Sequence, residues 1–299
     1  MKHIFTFSVL VLTLALIFTC ISTPVLPARE QGGSSVWRIS RNGNTLYLGG
    51  SIHILREDDF PLPAEFDLAF SQSAALIIEA DIEQMGKEES AAYLISNMLL
   101  DRNQSLQTLL DTDVYAMLAA KVNEYGIPIE SVSGFRPSMV ITMLTMFQIQ
   151  ELGFTQQGID PYYFQKARNE NKPVHFLESV ESQINMLVSM GEGYENEFVQ
   201  YSLQDMNNTE MFLTTIANDW RSGESASTEM SLKKMKEEWP QMYKSLITDR
   251  HDAWIPQLRE YLDSGTTYFV VAGLLHMHGP DGLLRLLEDI GCTVDRLRQ

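Results

Sequence analysis

Thiol chemistry is almost absent from this sequence. Its 299 residues include two cysteines, Cys20 and Cys292. Cys20 falls inside the N-terminal leader described below. Its removal would leave Cys292 alone and exclude an intramolecular disulfide. No thiolate cluster is possible either, so any metal would have to rely on histidine and carboxylate ligands. Basic residues are also scarce, with 22 Lys and Arg against 39 Asp and Glu and a net charge of −17. A field of that sign repels nucleic acid and anionic membranes. Long apolar runs are lacking beyond the first segment, Ile4 to Phe18. That run is shorter than the roughly 20 residues a membrane span needs. The sequence has no His-Glu-x-x-His, no phosphate-binding glycine loop and no Gly-x-Ser-x-Gly elbow, and Ser51 therefore carries no nucleophile signature.

What is there begins with a positive start at Lys2, the short apolar run and a small-residue end near Ala28. These are the parts of a secretory signal, which predicts an exported protein, periplasmic or secreted, without a stable membrane span after cleavage. An uncleaved anchor and a lipidated Cys20 are the competing readings; Phe18, two residues before Cys20, makes a poor lipidation signal. Residues 29–299 are then left as one folded domain. Apolar residues make up 44% and charged residues 20% of the chain, which is globular composition rather than disordered.

The pattern along the chain predicts an α/β fold. The central sheet is expected to be mixed and largely parallel, flanked by helices, with a helical insertion in the middle. Residues 36–40 and 45–50 flank Arg41-Asn-Gly-Asn44, a hairpin signal. Further strands are expected at 74–78, 172–177, 267–271 and 293–297. The short continuous run Ala74–Ile78 fits a strand buried on both faces. Helical spacing covers 63–73, 86–126, 137–152, 158–171, 180–262 with a break near Ser222-Gly223, and 280–290. The Met-rich stretch after Arg136-Pro137 is read as core, because methionine fills irregular gaps.

Three strand-like runs end in residues that chemistry can use: Leu46-Tyr-Leu-Gly-Gly-Ser-Ile-His53, Leu76-Ile-Ile-Glu79-Ala-Asp81 and Tyr268-Phe-Val-Val-Ala-Gly-Leu-Leu-His276-Met-His278. Ligands of open α/β sheets bind outside the carboxyl ends of the strands. If these three strands lie adjacent and parallel, they bring His53, Glu79 and His276 to one edge. Gly50 and Gly273, which open the two Gly-x-x-His motifs, let the chain turn tightly there. Two imidazoles and a carboxylate suit a borderline divalent metal such as zinc, manganese or cobalt.

The ordered set of segments resembles the TraB/GumN family, which includes Tiki and pheromone-shutdown proteins. The resemblance rests on Leu48–His53, Glu79, Gly158-Ile-Asp160, Lys172–Glu178 with Gln183, Arg250 within Thr248–Trp254, Val271–Leu283 and Gly291-Cys-Thr-Val. It spans about 36–297. At the level of fold it implies a relation to erythromycin esterases and ChaN-like haem-binding proteins. It also implies an active-site cleft built from the two histidine motifs, Glu79 and Arg250. For Tiki-like members it implies metal-dependent peptide cleavage. One departure from the family pattern is Met277-His278, where a large apolar residue is usual after the second motif's histidine.

The expected roles follow. His53, His276 and Glu79 are the candidate metal ligands, with His278 as a further one, and Glu79 also serves as a base toward bound water. Arg250 stabilises oxyanion charge or holds a substrate carboxylate, its alternative being an ion pair with Glu178 or Asp160. Asp160 and Glu178 are read as structural or as groups that orient the ligands, and Asp81 as a weaker candidate beside Glu79. His251-Asp252 is read as a solvated helix position, and His175 as a strand residue near the core edge. The function expected is a metal-dependent hydrolase acting on a peptide or small acyl substrate. The rivals are metal-free water activation by a His–Glu pair, or a non-catalytic protein that binds a peptide or haem.

Overall fold

The computed structural model describes residues 33–155 and 157–298. The expected leader, with Cys20, lies outside the described residues. The chain divides into two compact units.

One unit comprises Asp81–Phe154 and Ser179–Glu210 and is helical. It supplies the expected insertion. The helix Pro137–Glu151 starts with proline at its first position, where a missing N–H costs nothing. It buries Met139, Val140, Ile141 and Leu144 and packs against the helices Val180–Val188 and Glu195–Asp205. The helical stretch expected over 86–126 is interrupted. Ser105 caps the turn Leu106–Leu109 by accepting from the Thr108 N–H, so the chain restarts there. The pattern over 180–262 is likewise cut more often than its apolar spacing suggests. Gly191 and Gly193 adopt positive φ, and Gly223, at the expected break, has φ +70°.

The other unit contains residues 33–80, 155–178 and 211–298 and carries the sheet. Its strands are β1 (Val36–Arg41), β2 (Asn44–Ser51), β3 (Ala75–Ile78), β4 (Val174–Phe176), β5 (Tyr268–Gly273) and β6 (Thr293–Arg296). Their order is β4-β3-β5-β2-β1-β6. The β4-β3, β3-β5 and β5-β2 pairs are parallel, and β1 runs antiparallel to β2 and β6. Asn42 and Gly43 turn the β1–β2 hairpin with φ 51° and 85°, the left-handed pair that Asn-Gly adopts most readily. All four residues of β3 are buried, as a strand covered on both faces requires. Phe66 and Phe70 of the helix Ala64–Ser71, Tyr163 of Ile159–Asn169 and Phe269 of β5 form an aromatic cluster on the sheet. The helix Asp249–Asp263 packs on β1 and β2. Among the described residues no helix is long and apolar enough to cross a membrane.

Candidate active site

The expected adjacency of the three strands is present. In parallel register, Leu46 faces Tyr268 and Ser51 faces Gly273; Ala75 also faces Tyr268, and Ile78 faces Val271. The carboxyl ends of β2, β5 and β3 are therefore level. His53 follows β2, Glu79 follows β3, and His276 ends a short 3-10 turn after β5. His53, Glu79, His276 and Arg250 are all buried, and all belong to the sheet-bearing unit.

His53 is held from behind. Its Nδ1 lies 2.7 Å from Oδ2 of Asp160, and the Ser51 hydroxyl donates to the same oxygen. Asp160 reaches this position because its loop docks on the backbone of β2's extension: the Ile159 N–H donates to the Ile52 carbonyl at 3.1 Å. A Cβ on Gly158 would lie 2.2 Å from the His53 carbonyl oxygen, so only glycine allows the approach. Burial alone would lower the His53 pKa, but Asp160 outweighs it and raises the value to about 9. With Nδ1 turned to Asp160, Nε2 faces Oε1 of Glu79 at 3.9 Å.

Glu79 and Arg250 form the centre. Oε1 of Glu79 accepts from the Gly273 N–H at 2.7 Å, and Oε2 accepts from Nη2 of Arg250. Burial alone would raise its pKa; Arg250 and the Gly273 N–H overcome this and hold the carboxylate well below the usual range. Arg250 also donates through Nε and Nη2 to Glu178, at 3.1 and 2.6 Å, and its guanidinium lies 4.5 Å from the Trp254 ring centre. A buried cation needs this many partners. The helix carrying it is entered through a π-turn, Lys244–Thr248.

His276 accepts from one of the two N–H groups on Nη1 of Arg250. Nη1 of Arg250 is 2.8 Å from its Nε2, and its Nδ1 is 2.9 Å from Nε2 of His251. His251 in turn places Nδ1 2.6 Å from the Asp281 carbonyl. Burial, followed by the Arg250 charge, holds His276 well below its ordinary pKa, and burial takes His251 down to about 4. Reading His251 as a solvated helix residue is thus incorrect, since it is only 1% exposed. An Arg-His-Asp run in a polar helical pattern gives no signal of burial. The apolar Trp254, three residues on, was the one available hint.

Other candidates lie apart from this cluster. His278 turns its ring edge-on to Trp37, with centroids 5.4 Å apart, and its Nε2 is buried with no hydrogen-bond partner among the described residues. Burial, with help from Arg296, lowers its pKa to about 4. Asp81 caps the helix Ile82–Met85 by accepting from the Gln84 N–H. His175 sits in β4 against Tyr261 and Tyr268, the core-edge position expected of it. Cys292 is a buried free thiol.

The donor set does not suit a metal as it stands. Nε2 of His276 accepts from Arg250, and both Glu79 oxygens are engaged by N–H donors. The guanidinium supplies the positive charge that a metal would bring. Among the described residues no group of three or more His, Cys, Asp or Glu is arranged to hold a metal ion.

Comparison with known proteins agrees with the layout of the motifs. The chain is 27% identical over 244 residues to proteins of Escherichia coli (strain K12) and Shigella flexneri, both described as uncharacterized protein YbaP. The match covers 81% of this chain and 87% of each relative. No solved structure matches it significantly. The family model described as TraB/PrgY/gumN matches residues 35–296, from the start of β1 to the end of β6, and the chain belongs to that family.

Proposed function

We propose that this protein is an exported hydrolase that cleaves peptide or other acyl bonds with water activated by His53, without a bound metal ion. The observation that carries the reading is the alignment of Asp160, His53 and Glu79. Asp160 fixes Nδ1 of His53 at 2.7 Å, and Nε2 then faces the Glu79 carboxylate across 3.9 Å. That gap is too long for a hydrogen bond, and in this reading the substrate water lies beside it, within reach of both groups. A carboxylate behind an imidazole sets its tautomer and stabilises the imidazolium formed in catalysis.

In this mechanism Nε2 of His53 takes a proton from the water as the water oxygen attacks the acyl carbon. Asp160 stabilises the resulting imidazolium. The proton then passes from Nε2 to the leaving oxygen or nitrogen as the acyl bond breaks. Arg250, fixed by Glu79, Glu178 and His276, offsets the negative charge that grows on the acyl oxygen. Because the His53 pKa is raised to about 9, the neutral base gains population as pH rises, and the rate climbs toward about pH 9. The leader over residues 1–28 supports export.

The test is a screen of the purified, chelator-treated protein against peptides and esters. Hydrolysis that survives chelation and disappears in His53→Ala supports the proposal. Hydrolysis that needs added zinc, manganese or cobalt replaces it with a metal-dependent reaction on the same residues, for which Arg250 must leave His276. Stoichiometric capture of an intact peptide, or a haem absorption band without turnover, makes the protein a binding protein instead.

A further inference from the structure

We infer that His251 is a positioning residue that locks His276 in its Nδ1–H tautomer and thereby fixes Arg250 beside Glu79. The direction of each hydrogen bond follows from the two ends of the chain of contacts. The Asp281 carbonyl can only accept, so Nδ1 of His251, at 2.6 Å, is the donor. A guanidinium can only donate, so Nε2 of His276, 2.8 Å from Nη1 of Arg250, is the acceptor. Between them lies the 2.9 Å contact of His251 Nε2 with His276 Nδ1. It is a hydrogen bond only if His276 carries its proton on Nδ1 and His251 accepts. Two neutral rings, each with one proton, satisfy all three links, and no other tautomer pair does.

The ends are unequal in stiffness. Asp281 is anchored at its side chain by Tyr243, at 2.8 Å, and by Lys236, so its carbonyl is a fixed reference. The rings of His251 and His276 lie with centroids 5.0 Å apart, and His276 also packs on Trp254 at 4.7 Å. Packing holds the ring planes and the proton pattern selects the tautomer. If His276 instead carried its proton on Nε2, two donors would face each other and Arg250 would be driven from its place between His276 and Glu79. Groups that orient catalytic side chains from behind typically change activity by about 10–100-fold when removed.

The assignment of tautomers stands independently of the proposed hydrolysis; only the activity arm rests on it. The experiment uses nitrogen-15 histidine labelling of the full protein and of two variants, His251→Phe and His251→Gln. Phe keeps a flat ring and removes both nitrogens. Gln supplies one donor toward Asp281 and one acceptor toward His276. Expected are an Nδ1–H His276 in the parent and in His251→Gln, and a mixture of the two tautomers in His251→Phe, where Arg250 still favours an acceptor at Nε2 but the Nδ1–H has lost its partner. Where hydrolysis is measured, kcat falls about 10–100-fold in His251→Phe with KM little changed, and His251→Gln restores most of it. An Nε2–H His276 in the parent, or an unchanged tautomer in His251→Phe, overturns the inference. If His251→Phe does not fold, the parent and His251→Gln spectra decide it alone. Absence of any hydrolysis with the expected tautomers counts against the proposed function and leaves this inference standing.

Discussion

Gly158 touches the backbone of His53 more closely than any side chain permits: a Cβ added there would lie 2.2 Å from the His53 carbonyl oxygen and 2.5 Å from its Cα. This contact seats the Gly158-Ile159-Asp160 segment on the end of β2. Gly158→Ala is expected to destabilise the fold by about 1–3 kcal/mol, the usual cost of overpacking, and to weaken the Asp160–His53 pairing. Gly134→Ala is the control. A Cβ at Gly134 meets nothing within 4 Å among the described residues, so its effect should stay within about 0.5 kcal/mol. Urea unfolding of both variants checks the difference.

Asp160→Asn should lower the His53 pKa from about 9 to below its ordinary 6.5, since burial is then left largely unopposed. Stability carries the same signature. A histidine whose folded pKa is raised stabilises fully below pH 6.5, and that contribution is lost as pH climbs through 9. The parent protein should lose about 3 kcal/mol across this window on this account. Asp160→Asn should show little of the loss. Chemical unfolding at several pH values from 6 to 10, with NMR titration of His53, measures both.

The acid side has the opposite sign. His278 has its pKa lowered to about 4, so the unfolded chain binds its proton first as pH falls below 6.5. The stability that its neutral form preserves is progressively lost down to about pH 4. His278→Leu removes this linkage and should reduce the loss between pH 6.5 and 4 by about 3 kcal/mol. An unchanged acid limb of the stability curve would contradict the burial assigned to this ring.

Arg250 neutralises two carboxylates, the buried Glu79 and the partly buried Glu178. Arg250→Met should cost about 3–5 kcal/mol, because both are left without their cation. Arg250→Lys should recover only part of this. A single ammonium cannot reproduce the planar fork that reaches Glu79, Glu178 and His276 together. Unfolding midpoints of the two variants, compared with that of Glu178→Gln, test the ordering.

The sequence by itself determined the strand set and much of the site. Asn42-Gly43 between two apolar runs is a local hairpin code, and the continuous run through Ile78 marks a strand covered on both faces. Both Gly-x-x-His motifs and Glu79 follow such runs, so adjacency of the strands was enough to bring them together. Only the tertiary structure decided the rest. His251 sits beside Arg250 in a polar helical stretch, and its burial arises because the Asp281 loop and His276 close over it. His278 is two residues from His276, yet the chain turns and sends its ring to Trp37. Asp160 becomes the partner of His53 through the close approach at Gly158, and the Arg250 cation occupies the lone pair of His276 that a metal would need. Apolar periodicity reports which side of one element faces inward. Which lone pair meets which proton depends on how elements far apart in sequence are placed to within an ångström, and that is set by packing rather than by local pattern.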